Sequence, residues 1–154
     1  MREMRRLAQR MSSEQADAIL KGCEYGVLSV LGDGNFPYGV PINHVYDGKN
    51  IYFHGAVCGH KADAVKNGAK ASFCVVKECE IKPEVLSTRY ESVIAFGYAS
   101  IVKDEKEKHG ALVMMIEKFA SDYMNRGICE IQDEWERTNV FKIEVIDIKG
   151  KFHK

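Results

Sequence analysis

The chain of 154 residues has no net charge, no long hydrophobic run and only 3 prolines. Lys+Arg and Asp+Glu are both 22. A general nucleic-acid binder needs a basic excess to displace counterions, so that class is not expected, although a local basic site is still compatible with the balance. No apolar run nears the ~20 residues that span a bilayer, so no membrane partner is expected. The opening run Met1-Arg2-Glu3-Met4-Arg5-Arg6 has no hydrophobic segment behind it. It does not read as a secretory signal, and a cytoplasmic protein is expected. The 5 cysteines are scattered, and none stands in a C-x-x-C pair. Neither a zinc site nor a thioredoxin-type motif is indicated, and no metal is expected. Two familiar nucleotide loops, G-x-x-x-x-G-K-[ST] and G-x-G-x-x-G, are also missing. No internal repeat, low-complexity segment or linker divides the chain, so one domain over residues 1–154 is expected.

What is present is an ordinary globular composition, 45% hydrophobic and 29% charged. A chain of this length can bury a core without disulfides or metal. Ser12 and Gln15 form a capping-box pattern at the start of a helix whose stop is Gly22. Tyr25–Leu31 reads as a strand, followed by a Gly32-Asp33-Gly34-Asn35 turn. Residues 36–46 read as a second strand, and Asp47-Gly48 as a tight turn into a third, residues 50–56. Pro41 inside the second strand marks an edge or a bulge, because proline donates no ladder hydrogen bond. A short helix is expected over 60–67, and strands over 70–77, 92–102 and 139–148. The longest helix is expected over 104–119. Its stripe of Leu112, Met115, Ile116 and Phe119 reads as core packing. Residues 121–138 read as two short helical pieces broken near Gly127. Six strands with few helices between them suggest an antiparallel barrel with flanking helices.

The most informative stretch is Ile51-Tyr52-Phe53-His54-Gly55-Ala56-Val57-Cys58-Gly59-His60-Lys61-Ala62-Asp63. An apolar strand runs into a glycine-containing loop and then into a helix. Helix N-termini offer unpaired N–H groups and a positive dipole end to an anion. Lys61 adds a full charge, His60 a donor, and Gly55 and Gly59 let the backbone approach a ligand. Read on residues alone, this is either a phosphate cradle or a plain strand-to-helix connection. Cys58 reads as a bystander thiol, and Cys74 as a small buried hydrophobe.

Three segments in order carry a resemblance. They are Asp33-Gly34-Asn35-Phe36-Pro37-Tyr38-Gly39-Val40-Pro41-Ile42-Asn43, Ile51-Tyr52-Phe53-His54-Gly55-Ala56 with Gly59-His60-Lys61-Ala62-Asp63, and Tyr90-Glu91-Ser92-Val93-Ile94-Ala95-Phe96-Gly97. Met4-Arg5-Arg6 and Ile148-Lys149-Gly150-Lys151 fit as well. Together they resemble the pyridoxamine 5'-phosphate oxidase-like flavin-binding split barrels, in particular the nitroimidazole-resistance (Nim) branch.

The resemblance implies a six-stranded split β-barrel that forms a homodimer with FMN at the subunit interface. It implies that Val40, Pro41, Ile42 and Asn43 line the flavin, largely through backbone groups. Phe53, His54 and Gly55 match the strand end near the flavin ring and ribityl chain. Gly59, His60 and Lys61 match the phosphate-binding turn, with His60 standing where relatives often carry arginine. Ser92, with Tyr90 nearby, matches the segment that reaches the flavin from the partner subunit. In the Nim branch the residue matching His54 is associated with redox chemistry, so His54 is the catalytic candidate. The implied reaction is electron delivery from reduced flavin to a small-molecule nitroimidazole, giving an amine. An imidazole exchanges protons near neutral pH, as nitro reduction requires. The alternative is a histidine that only hydrogen-bonds the cofactor or backbone. A non-catalytic flavin binder is a second functional class. A haem-binding split barrel, with His44, His54 or His60 as axial ligand, is a third. Pyridoxamine phosphate oxidation itself is less expected, because the terminus Lys149-Gly150-Lys151-Phe152-His153-Lys154 lacks the Arg and Tyr residues that a phosphorylated substrate needs. His44 is not read as catalytic. His109, His153 and the mixed-charge runs 77–82 and 103–108 read as solvated turns and helix faces, and Trp135 as packing.

Overall fold

The computed structural model describes residues 3–153. Met1, Arg2 and Lys154, on which parts of the terminal readings fall, lie outside the described residues. After a short 3-10 turn (Leu7–Gln9) come α1 (Ser13–Gly22), β1 (Tyr25–Leu31), β2 (Pro37–Asn43), β3 (Val45–Tyr46) and β4 (Asn50–Ala56). Then come α2 (His60–Val65), β5 (Ala69–Lys82), β6 (Ser87–Ile101), α3 (Glu105–Phe119), α4 (Met124–Asp133) and β7 (Thr138–His153). Both helix starts follow their local signals. The Ser12 hydroxyl accepts from Gln15 N at 3.2 Å, and Ser12 N donates to Gln15 Oε1 at 3.0 Å. Asp104 accepts from Glu107 N at 2.8 Å at the start of α3.

The seven strands form one antiparallel sheet in the order β2-β1-β5-β6-β7-β4-β3. It curls around an interior filled by Leu28, Ile51, Phe53, Phe73, Val75, Val93, Phe141 and Ile143, against which Leu20 of α1 and Val65 of α2 pack. A second core lies under α3 and α4, where Leu112, Met115 and Ile131 meet Val45, Tyr52 and Val140. Pro41 stands on β2, a strand at the end of the sheet, where proline is tolerated.

The barrel has seven strands rather than six because the expected second strand divides at His44. Beyond it, β3 pairs with β4, Val45 facing Tyr52 and Tyr46 facing Ile51. Continued backwards, that register would set Asn43 against His54, Ile42 against Gly55 and Pro41 against Ala56. The ladder does not continue. Instead β2 pairs with β1, and β4 with β7. The His44 carbonyl accepts from Lys118 Nζ at 3.0 Å, and the His44 imidazole turns inward to Leu20 O at 2.8 Å. The hairpin is thus held open at one residue, and the sheet stays unclosed.

Four further expectations need correction. Residues 78–82 are strand, paired in register with Ser87–Glu91, so β5 and β6 run on into a two-stranded arm. β7 continues to His153, whose Nδ1 approaches Thr88 O at 3.0 Å and Ser87 Oγ at 3.4 Å. The run 78–82 is therefore built into the sheet by its hairpin partner, and His153 by residues 65 and 66 positions before it. α4 passes through Gly127 unbroken, because a side chain there would collide with Ile116 and the glycine lets α3 and α4 touch. α2 stops at Val65 rather than at residue 67.

Candidate functional site

The division at His44 leaves two strand edges without ladder partners among the described residues, the outer edge of β2 and that of β4 from Phe53 to Ala56. Val40, Pro41, Ile42 and Asn43 lie on the first, and Phe53, His54 and Gly55 on the second. The structure therefore brings seven of the sequence-predicted residues to the two lips of one split. Free edges of this kind present backbone donors and acceptors to whatever lies between them. Asn43 helps fix its lip, donating from Nδ2 to Glu24 O at 3.1 Å.

Lys61 sits at this split. Its Nζ donates to the His54 carbonyl at 3.2 Å and lies 5.2 Å from the Phe141 ring centroid and 5.7 Å from that of Phe53. Burial against these rings pushes its ammonium below the usual lysine value. A side chain at Gly55 would run into the Lys61 amine, so the bare backbone there makes room for the charge. Gly59 precedes α2 at φ +106°, a conformation that suits glycine. With six residues, α2 is too short to contribute much dipole, and the Lys61 charge dominates.

His60 is committed to a local task. Its ring stacks on Tyr38 with centroids 4.0 Å apart, and its Nε2 accepts from Asp33 N at 3.1 Å. It thereby ties the start of α2 to the β1–β2 turn. Gly32 leaves room for the imidazole, since an added side chain would meet it directly. That glycine is the sequence signal for the contact, but nothing local to it names a histidine so far along the chain.

His54 points to the other face of β4, towards α3. Its Nδ1 lies 3.3 Å from Met115 Sδ, and the ring borders an open cavity of about 350 Å³ between α3, α4 and the strand ends. Although the residue is exposed at the cavity mouth, the packing around its imidazole first, and the Lys61 charge second, hold its pKa below the ordinary histidine value. The imidazole is neutral near pH 7, with a ring N–H available as a donor. Ile116 packs against the second core, as read from the sequence, and also lines this cavity, whereas Phe119 is exposed at its rim. Helical periodicity locates an apolar stripe but does not say that its end overhangs a gap.

His44 differs from both. It is fully buried, edge-on to Phe73 at 4.7 Å, and its pKa is lowered to about 4, chiefly by burial. Its Nε2 is engaged by Leu20 O and its Nδ1 is buried without a hydrogen-bond partner, so it is complete enclosure that keeps the ring from a ligand in the split. Tyr90 and Ser92 are not brought to the split within one chain. They lie on β6, where Ser92 faces Val76 and Lys151 across the sheet. Lys151 Nζ is 5.2 Å from the Tyr90 ring centroid. Around Ser92 the outer sheet face is apolar, with Val27, Cys74 and Ile94 abreast across β1, β5 and β6 and with Val76 and Tyr98 exposed.

An open antiparallel barrel, split between β2 and β4 and carrying a lysine at the split, defines the class of fold. The family model for pyridoxamine 5'-phosphate oxidase matches residues 12–152, and the chain belongs to that family. No curated protein matches it. Similar solved structures include a proposed 5-nitroimidazole antibiotic resistance protein from Bacteroides thetaiotaomicron. It is 19% identical with a TM-score of 0.75, over 93% of this chain and 86% of that one. The FAD and heme binding protein from Mycobacterium smegmatis is 20% identical with a TM-score of 0.78, over 95% of this chain and 74% of that one. A conserved hypothetical protein from Mycobacterium tuberculosis is 17% identical with a TM-score of 0.83, over 99% of this chain and 91% of that one. At these identities the likeness is one of fold. No helix among the described residues is long and apolar enough to cross a membrane.

Proposed function

We propose that this protein binds FMN in the split between β2 and β4 and uses it to reduce a small electrophile such as a nitroaromatic compound. The observation that carries this reading is the Lys61 ammonium held at the split, where Gly55 leaves it space and the two strand edges leave backbone groups unpaired. A flavin ring is flat and apolar with polar edges. The lips at Val40, Pro41, Ile42 and Asn43, and at Phe53, His54 and Gly55, suit it through backbone donors and acceptors. An FMN phosphate carries close to two negative charges, and an anion beside Lys61 would offset the burial that now disfavours its charge. Gly59 would let the backbone approach that phosphate, while His60 would brace the turn from the Tyr38 side. When bound, flavin supplies the reducing electrons. His54, on the lip of β4, is the proton donor in this reading.

The same reading makes the protein a homodimer. Ser92 and Tyr90 stand on an outer face whose apolar row of Val27, Cys74 and Ile94 suits a second copy. Only a second copy could bring Ser92 to a split. The likeness in fold to the FAD and heme binding protein of Mycobacterium smegmatis favours keeping haem as an alternative cofactor. Of the three histidines considered, His44 is unsuited because it is enclosed and hydrogen-bonded, and His54 and His60 are the exposed ones.

The test is the visible spectrum of the purified protein after gel filtration with FMN, FAD or haem. Retained FMN, and reoxidation of the dithionite-reduced protein by a nitroimidazole, support the proposal. Reoxidation lost in His54→Ala with flavin still bound supports the assigned proton donor. A retained haem band, or no retained flavin, overturns the proposal. Flavin retained without turnover beyond that of free flavin leaves a binding protein and removes the catalyst.

A further inference from the structure

The cavity beside His54 is separate from the phosphate end of the split, because His54 and Lys61 point to opposite faces of β4. Its volume, about 350 Å³, lies in the range of small-ligand pockets, roughly 300–1,000 Å³. The walls are apolar, with Ile116 and Phe119 from α3 and Ile131 from α4. Gly127 belongs to the same wall. It lets α4 lie against Ile116, and any side chain there would have to displace that isoleucine, with approaches of 2.7–2.9 Å.

The charge of the lining is one-sided. Two carboxylates, Glu130 and Glu134, border the cavity itself, and Arg126 lines the adjoining groove that shares Ala120, Gly127 and Glu130 with it. Glu134 is paired with Arg137 on the outside of the helix. Glu130 is exposed and has no ion pair among the described residues. An anion entering here would meet an apolar wall, a carboxylate and an imidazole that burial keeps neutral, and would leave its charge unpaired. A flat molecule with a positive or neutral N–H group would bury its ring and present that group to Glu130.

We infer that the α3–α4 cavity is the site of the second substrate, and that it takes flat, apolar molecules that are cationic or neutral while rejecting anions, phosphorylated ones included. As a statement about substrate the inference rests on the proposed flavin site, since His54 joins the two. As a statement about binding it does not need flavin. The selectivity comes from Glu130, and the shape from Ile116, Phe119 and Gly127.

Three probes of one shape and different charge test it: benzamidine, benzamide and benzoate. Their affinities are measured by titration calorimetry on flavin-free and flavin-loaded protein, with the His54 imidazole followed by NMR. Benzamidine is expected to bind a few-fold more tightly than benzamide, benzoate not at all, and the first two are expected to shift the His54 signals. Glu130→Gln should erase the preference for benzamidine and leave benzamide unchanged. Ile116→Trp should fill the cavity and abolish both, and Phe119→Ala serves as a milder variant should the tryptophan fail to fold. Benzoate binding as well as benzamidine overturns the inference, as does binding that ignores Ile116→Trp. Loss of a dimer in Ile116→Trp without any probe binding to the unaltered protein also overturns it, because the groove is then an interface between copies. Flavin retained without probe binding defeats this inference alone. Probe binding without flavin defeats the flavin reading and the substrate role that rests on it, and leaves the cavity's charge selectivity standing.

Discussion

The Lys61 ammonium donates to the main-chain oxygen of His54 while the His54 imidazole turns to the opposite face of the same strand and meets Met115 at 3.3 Å. One residue thus connects two environments, an aromatic-walled charge at the split and an apolar cavity under α3. The lysine charge also reaches through to the ring, as the second cause of its lowered pKa. Occupancy on one side is therefore expected to be felt on the other.

Lys61→Met separates these effects. It should weaken FMN by about 10- to 100-fold, the worth of a charge-assisted hydrogen bond, while leaving riboflavin, which has no phosphate, nearly unchanged. In the flavin-free protein it should also raise the His54 pKa, because a neighbouring positive charge disfavours the imidazolium and is now gone. Calorimetry with both ligands and an NMR titration of His54 check the two parts. An equal loss of FMN and riboflavin would show that the phosphate lies elsewhere.

His44 predicts an acid-sensitive barrel. Its folded pKa is lowered from 6.5 to about 4, so the unfolded chain takes up the proton first as pH falls. The neutral, buried ring contributes fully above pH 6.5. That contribution is lost between 6.5 and about 4, amounting to about 3 kcal/mol. Urea midpoints across this window should fall with a slope approaching one proton. In His44→Leu the slope should flatten, at the cost of leaving Leu20 O unpaired.

Gly97 predicts a steric cost. It sits at the bulge where β6 shifts register against β7, and a side chain there would meet the Glu144 carbonyl and Ile143 Cγ2. The carbonyl belongs to the backbone of a paired strand and cannot swing aside. Gly97→Ala should destabilise the fold by about 1–3 kcal/mol, read as a lower urea midpoint at unchanged m-value. Gly22→Ala, with open space around the added group, is the matched control.

Ile94→Lys tests the proposed dimer. Ile94 is exposed between Cys74 and Lys149 on the outer face. Two lysines brought together across a symmetric interface would repel and lose apolar contact. Light scattering should show monomer in place of dimer, with FMN affinity falling because Ser92 of a second copy is no longer supplied. A monomeric unaltered protein would remove the dimer, and with it any role for Ser92 in binding.

Much of this protein is determined by residues near one another in sequence. The Ser12–Gln15 box starts α1, Asp104 starts α3, Asp47-Gly48 turns β3 into β4, and alternating apolar residues make the strands. The family resemblance also points to the segments that form both lips of the split. Other features depend on partners far along the chain, which no local pattern encodes. The strand divides at His44 because Lys118 and Leu20 O claim its polar groups, 74 and 24 residues away. His60 is held by a turn 27 residues before it. His153 is fixed by Thr88, 65 residues before it. His54 and Lys61 fall on opposite faces because the helix after β4 folds back over the barrel mouth while α3 covers the outside. Packing against elements brought together only by folding made one residue's surroundings a split and its neighbour's a cavity.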